Sequence, residues 1–371
     1  MKTYQEEIKW IWESENFPNF IYKTTNLENL NYKFGQLNMI EKFINTEDSN
    51  ELLLDVLLND AISTSAIEGE ILQRSSVRSS INKILKLGLE DDYSYTVQSD
   101  SLIEVLVDAK INKKPLDKKR LLSWHKALFP AGSSGLRDIN IGSYRTDIED
   151  MQIVSGTWNK EKVHYIAPTS KNLEQLMDNY LEWLNKDNDL NSIYKAVVAH
   201  LYFVLIHPFD DGNGRIARAI TDYILAQSNL ANVNFYSIST MIYQKRKEYY
   251  EVLDKVCINT NQDITLWIEW FIKLLEESID DTLLKIESVK TKAKFWDKHI
   301  NTKLNDRQKK VILKMLSYLP DQFEGGMKVQ KYMNITKTLR LTASRDLADL
   351  VEKNIMKSHG MGRGVYYTLI V

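Results

Sequence analysis

Residues that break helices are rare in this sequence, which holds 6 Pro and 14 Gly among its 371 residues. Apolar residues recur three or four positions apart, as Leu27, Leu30, Phe34 and Leu37 do near the N-terminus. This spacing is typical of amphipathic helices, so the sequence predicts a mainly α fold. After a further helix from about Asn50, the predicted helices are Thr96–Ile111, Asp117–Phe129, Leu173–Asn185, Ile193–His207, Arg215–Ser228, Thr240–Cys257 and Thr265 to about Ile300.

Two segments depart from the helical pattern. Glu149–Val154 and Lys162–Ile166 alternate apolar and polar residues around a polar turn, which predicts a β-hairpin. Near the C-terminus, Asn354–Lys357 and Gly364–Leu369 flank a glycine-rich turn and predict a second hairpin. This hairpin follows three predicted helices, and helices followed by a glycine-tipped hairpin are typical of a winged helix. The three helices are Asn305–Tyr318, Lys328–Met333 and Thr338–Glu352.

Composition sets broad limits on what the chain does. A 43% hydrophobic and 26% charged sequence has ample material for a globular core, and a net charge of -2 gives no chain-wide argument for a polyanionic partner. The single cysteine, Cys257, excludes an intramolecular disulfide and fits a reducing compartment. The N-terminus lacks the apolar run of a signal peptide, and the most apolar stretch, 196–206, is too short for a membrane span. We therefore expect a cytoplasmic protein with no membrane contact.

The segment HPFDDGNGRIAR, which begins at His207, carries the strongest chemical signal. An apolar helix ends at this histidine, and Pro208 blocks its continuation. Gly212, Asn213 and Gly214 then allow a tight turn whose backbone N–H groups face one concavity. The positive end of the following helix adds to this concavity, so the segment is predicted to bind phosphate.

Other side chains of the same segment suit phosphate chemistry. Arg215 and Arg218 lie three apart on the predicted helix and can reach the same end of it. Asp211 offers a carboxylate suited to Mg²⁺, and His207 is a candidate general base. Each residue alone has a structural explanation, but their combination within twelve residues favours a phosphate-handling site. No GxxxxGK[ST] motif is present, which excludes a P-loop enzyme.

HPFDDGNGRIAR resembles the signature of the Fic family, HPFx[DE]GNGRxxR, at every specified position. The resemblance implies a helical Fic-type core that binds ATP over the loop and transfers AMP to a protein hydroxyl. By position, His207 would take the proton from the target hydroxyl, and Asp211 would hold Mg²⁺. The nucleotide-binding residues that it implies are Gly212, Asn213, Gly214, Arg215 on the β-phosphate side and Arg218 at the γ-phosphate. Gly214 also favours nucleotidyl over phosphoryl transfer, because the related Doc-type kinases carry lysine there.

The segment TSAIEG, Thr64 to Gly69, resembles the inhibitory motif [ST]xxxE[GN] of Fic proteins. By position, Glu68 would pair with Arg218 and compete with the γ-phosphate of ATP. The motif lies upstream of the core, so the chain resembles the class with an N-terminal inhibitory helix. The alternative is a capping box, in which Glu68 reaches back to a backbone amide of its own segment.

The first predicted hairpin resembles the flap that presents the target in Fic proteins. An open strand edge can hold an extended peptide by backbone hydrogen bonds, which would place Gln152, Ile153 and Val154 beside the modified residue. The alternative is a hairpin that only covers the core. The N-terminal segment WIWES…FPNFIY resembles a domain of unknown function found before Fic domains, and its aromatic residues are expected to pack in a core.

We expect four segments: an N-terminal helical domain with the inhibitory helix (1–95), a Fic catalytic core (96–264), a linking helix (265–300) and a winged-helix domain (301–371). The last segment holds 13 Lys and Arg against 6 Asp and Glu, a charge balance typical of DNA binders. Docking of a protein is the alternative use of such a domain.

The expected function is transfer of AMP from ATP, with Mg²⁺, to Ser, Thr or Tyr hydroxyls of target proteins and of the chain itself, restrained by Glu68. Two alternatives stay open. One is a Fic enzyme with another transfer or with de-AMPylation activity, and the other is a DNA-binding regulator whose Fic core senses nucleotide. The oligomeric state also stays open, a homodimer included.

Overall fold

A computed structural model describes residues 10–43, 46–86, 96–134, 137–146, 150–155, 162–186, 190–228, 235–319 and 323–371. The chain divides into two compact units, Met1–Asp280 and Asp281–Val371. The described residues are mainly helical, which confirms the predicted fold class. The α-helices are α1 Glu28–Phe43, α2 Thr46–Ile67, α3 Arg74–Leu85, α4 Val97–Ile111, α5 Lys118–Leu128, α6 Leu173–Asn185, α7 Ser192–Ile206, α8 Asn213–Gln227, α9 Ile238–Gln244, α10 Arg246–Cys257, α11 Thr265–Lys298, α12 Asp306–Leu316, α13 Val329–Thr336 and α14 Arg340–Glu352. The strands are β1 Ser133–Ser134, β2 Arg137–Asp138, β3 Gln152–Ser155, β4 Lys162–Ile166, β5 Met356–His359 and β6 Tyr366–Leu369.

Helix α7 forms the centre of the first unit. Its sequence is apolar on every side, and nearly all of its residues are buried, so it is surrounded by other elements rather than lying on the surface. The Asn191 side chain accepts a hydrogen bond from the Ile193 N–H at 2.9 Å and caps its start. Helices α8 and α6 pack on α7, and α2 and α4 pack on α8. The loop between α7 and α8 is thereby held in the middle of the unit.

Several helix boundaries differ from the predictions, and helix α3 was not predicted. The segment Thr240–Cys257 forms two helices, α9 and α10, because Lys245 leaves the helical conformation (φ -107°, ψ 28°). Helix α8 begins at Asn213 rather than Arg215, because Gly212 takes a left-handed conformation (φ 81°) and ends the loop there. Gly214 and Arg215 therefore lie in the first turn of α8, where backbone N–H groups have no partner within the helix.

The N-terminal segment before α1 packs on the rest of the first unit through backbone and side-chain contacts. Ile21 pairs with Asp263 in a parallel bridge, and the Trp12 indole N–H donates to the Ile166 carbonyl at 2.6 Å. Trp10 is buried and packs edge-on against Tyr165. Trp10 therefore packs in the core, as predicted, whereas the other aromatic residues of this segment are only half-buried: Trp12, Phe17, Phe20 and Tyr22.

The first predicted hairpin is formed by β3 and β4, which pair antiparallel with Gln152 opposite Ile166 and Ile153 opposite Tyr165. Its tip, residues 156–161, lies outside the described residues. The Tyr165 hydroxyl donates to the Leu205 carbonyl of α7 at 2.6 Å, which fixes β4 to the central helix. The short pair β1–β2 was not predicted, because two-residue strands leave no alternation to detect.

The described part of the second unit begins with the C-terminal end of α11, which is followed by three helices and an antiparallel hairpin. The helices are α12, α13 and α14, and the strands β5 and β6 pair with Met356 opposite Leu369. Met327 adds an antiparallel bridge to Tyr367, and the core includes Val311, Tyr332 and Leu347. The order of elements agrees with the sequence, while the winged-helix classification and the domain boundaries stay predictions.

Within the described ranges, none of the helices has the length and apolar character that a membrane span requires.

Candidate active site

His207 lies at the point where α7 ends. It takes a left-handed conformation (φ 51°), and its N–H donates to the Phe203 carbonyl at 3.0 Å, which closes the last turn. Left-handed backbone is uncommon for a residue with a side chain, and strain of this kind is often found at functional sites. Pro208 follows and turns the chain into the loop that leads to α8.

The His207 ring is set up to accept a proton. Its Nδ1 lies 3.2 Å from the Val204 carbonyl oxygen. A carbonyl can only accept, so Nδ1 carries the hydrogen and Nε2 keeps its lone pair. Burial, together with the charge of Arg145, lowers the pKa of His207 to about 4, although the Val204 carbonyl, Glu68 and Asp211 oppose this shift. The imidazole is therefore neutral near pH 7, as a general base must be.

The loop between α7 and α8 is held by its own side chains. The Asn213 side chain accepts from the Phe209 N–H at 3.0 Å and donates to the Phe209 carbonyl at 2.7 Å. The Phe209 ring stacks on His125 at a centroid distance of 4.0 Å. His125 accepts from the Gly142 N–H through Nδ1 and donates from Nε2 to the Asp211 carbonyl. Burial lowers the pKa of His125 to about 4, so this neutral tautomer is stable near pH 7.

Asp211 is half-buried at the end of the loop. Its carboxylate accepts hydrogen bonds from the Ser134 hydroxyl and from the Gly212 N–H, and it lies 3.8 Å from the Arg215 guanidinium. The described residues contain no group of three or more His, Cys, Asp or Glu that could hold a metal by themselves. One carboxylate suits Mg²⁺ when substrate phosphates and water supply the other ligands.

Two arginines of α8 face two glutamates that follow α2. Arg218 donates to a Glu68 oxygen at 2.8 Å and also to the Thr64 side chain and carbonyl. Arg215 donates from one nitrogen to both Glu70 oxygens, at 3.0 and 2.9 Å. The guanidinium side chains are 2% and 4% exposed, whereas those of Glu68 and Glu70 are 25% and 31% exposed. The arginines are thus fixed in the core, and the glutamates approach them from the more open side.

Gly214 lies where Glu68 meets α8. A Cβ atom at this position would stand 2.4 Å from a Glu68 carboxylate oxygen and 3.1 Å from the Arg218 guanidinium. Cβ atoms essentially never approach another atom as closely as 2.4 Å, so a side chain at position 214 would force the Glu68 carboxylate out of the position described here. The capping-box alternative does not describe this segment, since the Glu68 carboxylate lies on Arg218 at the C-terminal end of α2.

Arg145 connects the hairpin to the loop. Its buried guanidinium donates from Nε to the His207 carbonyl at 2.8 Å, and from Nη2 to the Pro168 carbonyl just after β4. Its own N–H donates to the Pro208 carbonyl at 2.9 Å. Of the predicted flap residues, Gln152 and Val154 are exposed on β3 and Ile153 is half-buried. The structure thus joins the base of this hairpin to the backbone of His207 through one side chain.

The arrangement above matches a known family. The profile of the Fic/DOC family matches residues 115–225, which include α5 to the loop and most of α8. These residues are a Fic domain. A second profile, a domain of unknown function (DUF4172), matches residues 10–87, which hold the segment before α1, helix α2 and the turn with Glu68 that follows it.

Curated relatives match the Fic domain over short stretches. A protein adenylyltransferase Fic of Nematostella vectensis is 33% identical over 118 residues, which are 31% of this chain and 26% of the relative. A probable protein adenylyltransferase of Aquifex aeolicus is 37% identical over 71 residues, 19% of this chain and 20% of the relative. The chain therefore spans about a quarter or less of the length of these relatives.

Solved structures agree on the fold. A Fic family protein from Desulfovibrio desulfuricans G20 has a TM-score of 0.53 at 19% identity, covering 94% of this chain and 97% of that one. A Fic domain containing signaling protein from Bacteroides thetaiotaomicron VPI-5482 has a TM-score of 0.51 at 16% identity, covering 69% and 95%. At these identities the likeness concerns the fold alone.

The structure brings the predicted loop residues of the Fic domain together with Glu68, and it adds residues that the sequence did not single out. Glu70, His125 and Ser134 each contact a loop or α8 residue through hydrogen bonds. These contacts join parts of the chain far apart in sequence. Of these three, only Glu70 could have been singled out from the sequence, because it is a second acidic residue two positions after Glu68.

Proposed function

We propose that the protein is an adenylyltransferase that moves AMP from ATP, with Mg²⁺, to Ser, Thr or Tyr hydroxyls of target proteins and of itself. One observation carries this proposal: a neutral His207 stands at the same loop as the α8 N-terminus and two buried arginines. Its support from known proteins is the Fic domain and the relatives named protein adenylyltransferase.

The reaction needs a base for the hydroxyl. The target oxygen would attack the α-phosphorus of ATP, the bond from this phosphorus to the bridging oxygen of the β-phosphate would break, and pyrophosphate would leave. His207 Nε2 would take the hydroxyl proton. The lowered pKa keeps His207 neutral near pH 7, so its Nε2 lone pair is available to take this proton as the new bond forms.

The phosphates would be held by the start of α8. The amides of Asn213, Gly214 and Arg215 precede the first hydrogen bond of the helix, which runs from Ile216 to the Gly212 carbonyl. Such amides and the helix dipole favour anions. Arg215 would bind the β-phosphate side and Arg218 the γ-phosphate.

Asp211 would hold Mg²⁺, and its half-exposed carboxylate fits that role. The ion would supply positive charge that stabilises the leaving pyrophosphate. The Ser134 hydroxyl donates to Oδ2 of Asp211, and this hydrogen bond would keep the carboxylate turned toward the phosphates.

Glu68 would restrain the enzyme. Its carboxylate occupies the guanidinium that the γ-phosphate needs, so ATP could bind only without that contact or after Glu68 has left. Charge-assisted bonds to arginine are among the stronger hydrogen bonds, so this competition should keep basal activity low.

The β3 edge of the hairpin would dock the target. In the described part of the chain β3 pairs only with β4, which leaves its other edge for an extended peptide. Gln152, Ile153 and Val154 would then lie along the peptide backbone. We also propose a cytoplasmic location, since a chain with one cysteine forms no intramolecular disulfide and fits a reducing compartment.

A direct test is to identify the product. Wild type and Glu68→Gly would be incubated with ATP, GTP, UTP and CTP, and the modified protein would be measured by intact mass. A mass increase by AMP, strongest with ATP, is expected. An increase by another nucleotide or by phosphate alone would instead support a different transfer, and loss of AMP from a pre-modified target would support de-AMPylation.

A second candidate function concerns the C-terminal unit. Residues 301–371 hold 13 Lys and Arg against 6 Asp and Glu, and this excess of positive charge favours DNA as a partner of a winged helix. Exposed Leu339 and Leu341 at the start of α14 favour a protein instead. Fluorescence anisotropy with duplex DNA at several salt concentrations distinguishes the two partners. Binding that weakens steeply with salt would support DNA, and no binding would favour a protein partner.

A further inference from the structure

The turn after α2 carries two carboxylates on one rigid piece of backbone. Gly69 takes a left-handed conformation (φ 84°), and the N–H groups of Glu68 and Glu70 both donate to the Ser65 carbonyl, at 3.1 and 2.9 Å. A residue with a side chain is strained at such a φ, so glycine allows this turn. The turn sets Glu68 and Glu70 side by side, facing α8.

Each carboxylate meets a different arginine. Arg215 and Arg218 are three residues apart on α8 and therefore lie on one face of that helix. Glu70 contacts Arg215 and Glu68 contacts Arg218, as described above. Both positive charges of this face are thus neutralised by the same turn.

Arg215 cannot easily leave this place. Its guanidinium lies 4.8 Å above the Phe129 ring, and it is 3.8 Å from Asp211 on its other side. Glu70 is the more exposed partner of the pair, so it is the group that an incoming anion would displace. A phosphate carries more charge than a carboxylate and would compete for the same nitrogen.

We propose that Glu70 belongs to the nucleotide site, where it competes with the nucleotide for Arg215 as Glu68 competes for Arg218. This inference rests on the proposed function, which assigns Arg215 to the β-phosphate side. It implies that replacement of Glu68 alone leaves the site partly restrained. It also divides the two glutamates by ligand: Glu70 opposes every nucleotide with a β-phosphate, whereas Glu68 opposes only those with a γ-phosphate.

The test is the affinity of ADP and ATP, measured by calorimetry with Mg²⁺ on the full chain. The variants are Glu68→Gln, Glu70→Gln and the double variant, since glutamine keeps the shape of the side chain and removes its charge. Asp55→Asn is the matched control, because Asp55 is an exposed carboxylate of α2. Thermal midpoints check that each variant is folded.

Glu70→Gln should tighten ADP binding about three- to fivefold, the effect of a partly exposed ion pair, while Glu68→Gln and Asp55→Asn change it less than about twofold. ATP binding should tighten in both single variants and most in the double variant. Unchanged or weaker ADP binding in Glu70→Gln, with ATP still bound by Glu68→Gln, would overturn the role of Glu70 alone. If no variant binds either nucleotide, the proposed function fails as well.

Discussion

Replacing Lys110 with methionine would remove a positive charge that lies between two buried carboxylates. The Lys110 ammonium is 2.8 Å from Asp222 of α8 and 3.6 Å from Asp60 of α2, and the lysine side chain is fully buried. Burial lowers the pKa of Lys110, but the two carboxylates raise it by more, so the ammonium stays charged. This cluster joins the helix that leads to Glu68 to the helix that carries Arg218.

The expected loss is large because methionine fills the space but leaves both carboxylates without their cation. Breaking a buried ion pair from one side costs about 3–5 kcal/mol. For a unit of this size, that loss corresponds to a fall of roughly 10 °C in the thermal midpoint. Burial already raises the pKa of Asp222 to about 7, and it rises further without Lys110. Carboxyl groups with raised pKa values favour the folded state at low pH, so the variant should be weakest at high pH.

The assay is differential scanning calorimetry of the full chain at about pH 5 and pH 8. Lys119→Met, at an exposed position of α5, is the matched control. Adding Asp222→Asn to Lys110→Met should recover part of the loss, because one orphaned carboxylate is gone. If Lys110→Met melts within about 2 °C of Lys119→Met at both pH values, the reasoning from buried charge is refuted.

Three further predictions concern Arg145, Asp346 and the two histidines with lowered pKa values. Arg145→Met, made in the Glu68→Gly background, should lower the rate of AMP transfer about tenfold or more without weakening ATP binding, because it frees the His207 backbone; an unchanged rate would count against this. Asp346→Ala should lower the thermal midpoint measured by calorimetry, because this buried side chain accepts hydrogen bonds from three others; an unchanged midpoint would mean that these bonds contribute nothing. The free energy of unfolding, measured in urea, should rise between about pH 4 and 6.5, because His125 and His207 bind protons more readily in the unfolded chain. Each histidine with a pKa near 4 contributes about 3 kcal/mol to this rise. A free energy that does not change with pH would contradict the lowered pKa values.

Much of the fold follows from local sequence. The apolar run before Pro208 predicts where α7 ends, and alternation of apolar and polar residues predicts β3 and β4. The break at Lys245 was not predictable, because neither proline nor glycine marks it. Helix α9 packs on α2, and this tertiary packing cannot be read from the sequence around Lys245.

In the candidate site, too, the residues close together in sequence were predictable, whereas the contacts between distant segments were not. The residues of its loop are close in sequence, so a pattern of twelve positions suffices to single them out. Glu70 lies only two positions after Glu68, but its contact with Arg215 depends on which helices lie side by side, and so do the contacts of Lys110 with Asp60 and Asp222. For the same reason the sequence could not show that the Arg145 guanidinium donates hydrogen bonds to the backbone carbonyls of His207 and Pro168.

The central claim is that His207 transfers the proton in an AMP transfer that Glu68 restrains. The most direct measurement is incorporation of label from α-labelled ATP with Mg²⁺, comparing wild type, Glu68→Gly and Glu68→Gly/His207→Ala. We expect strong label in Glu68→Gly, weak label in wild type and none in the double variant. Equal labelling of wild type and Glu68→Gly would contradict the restraint, and label in the double variant would contradict the role of His207. No label in any of the three, although ATP binds, would contradict adenylyl transfer itself.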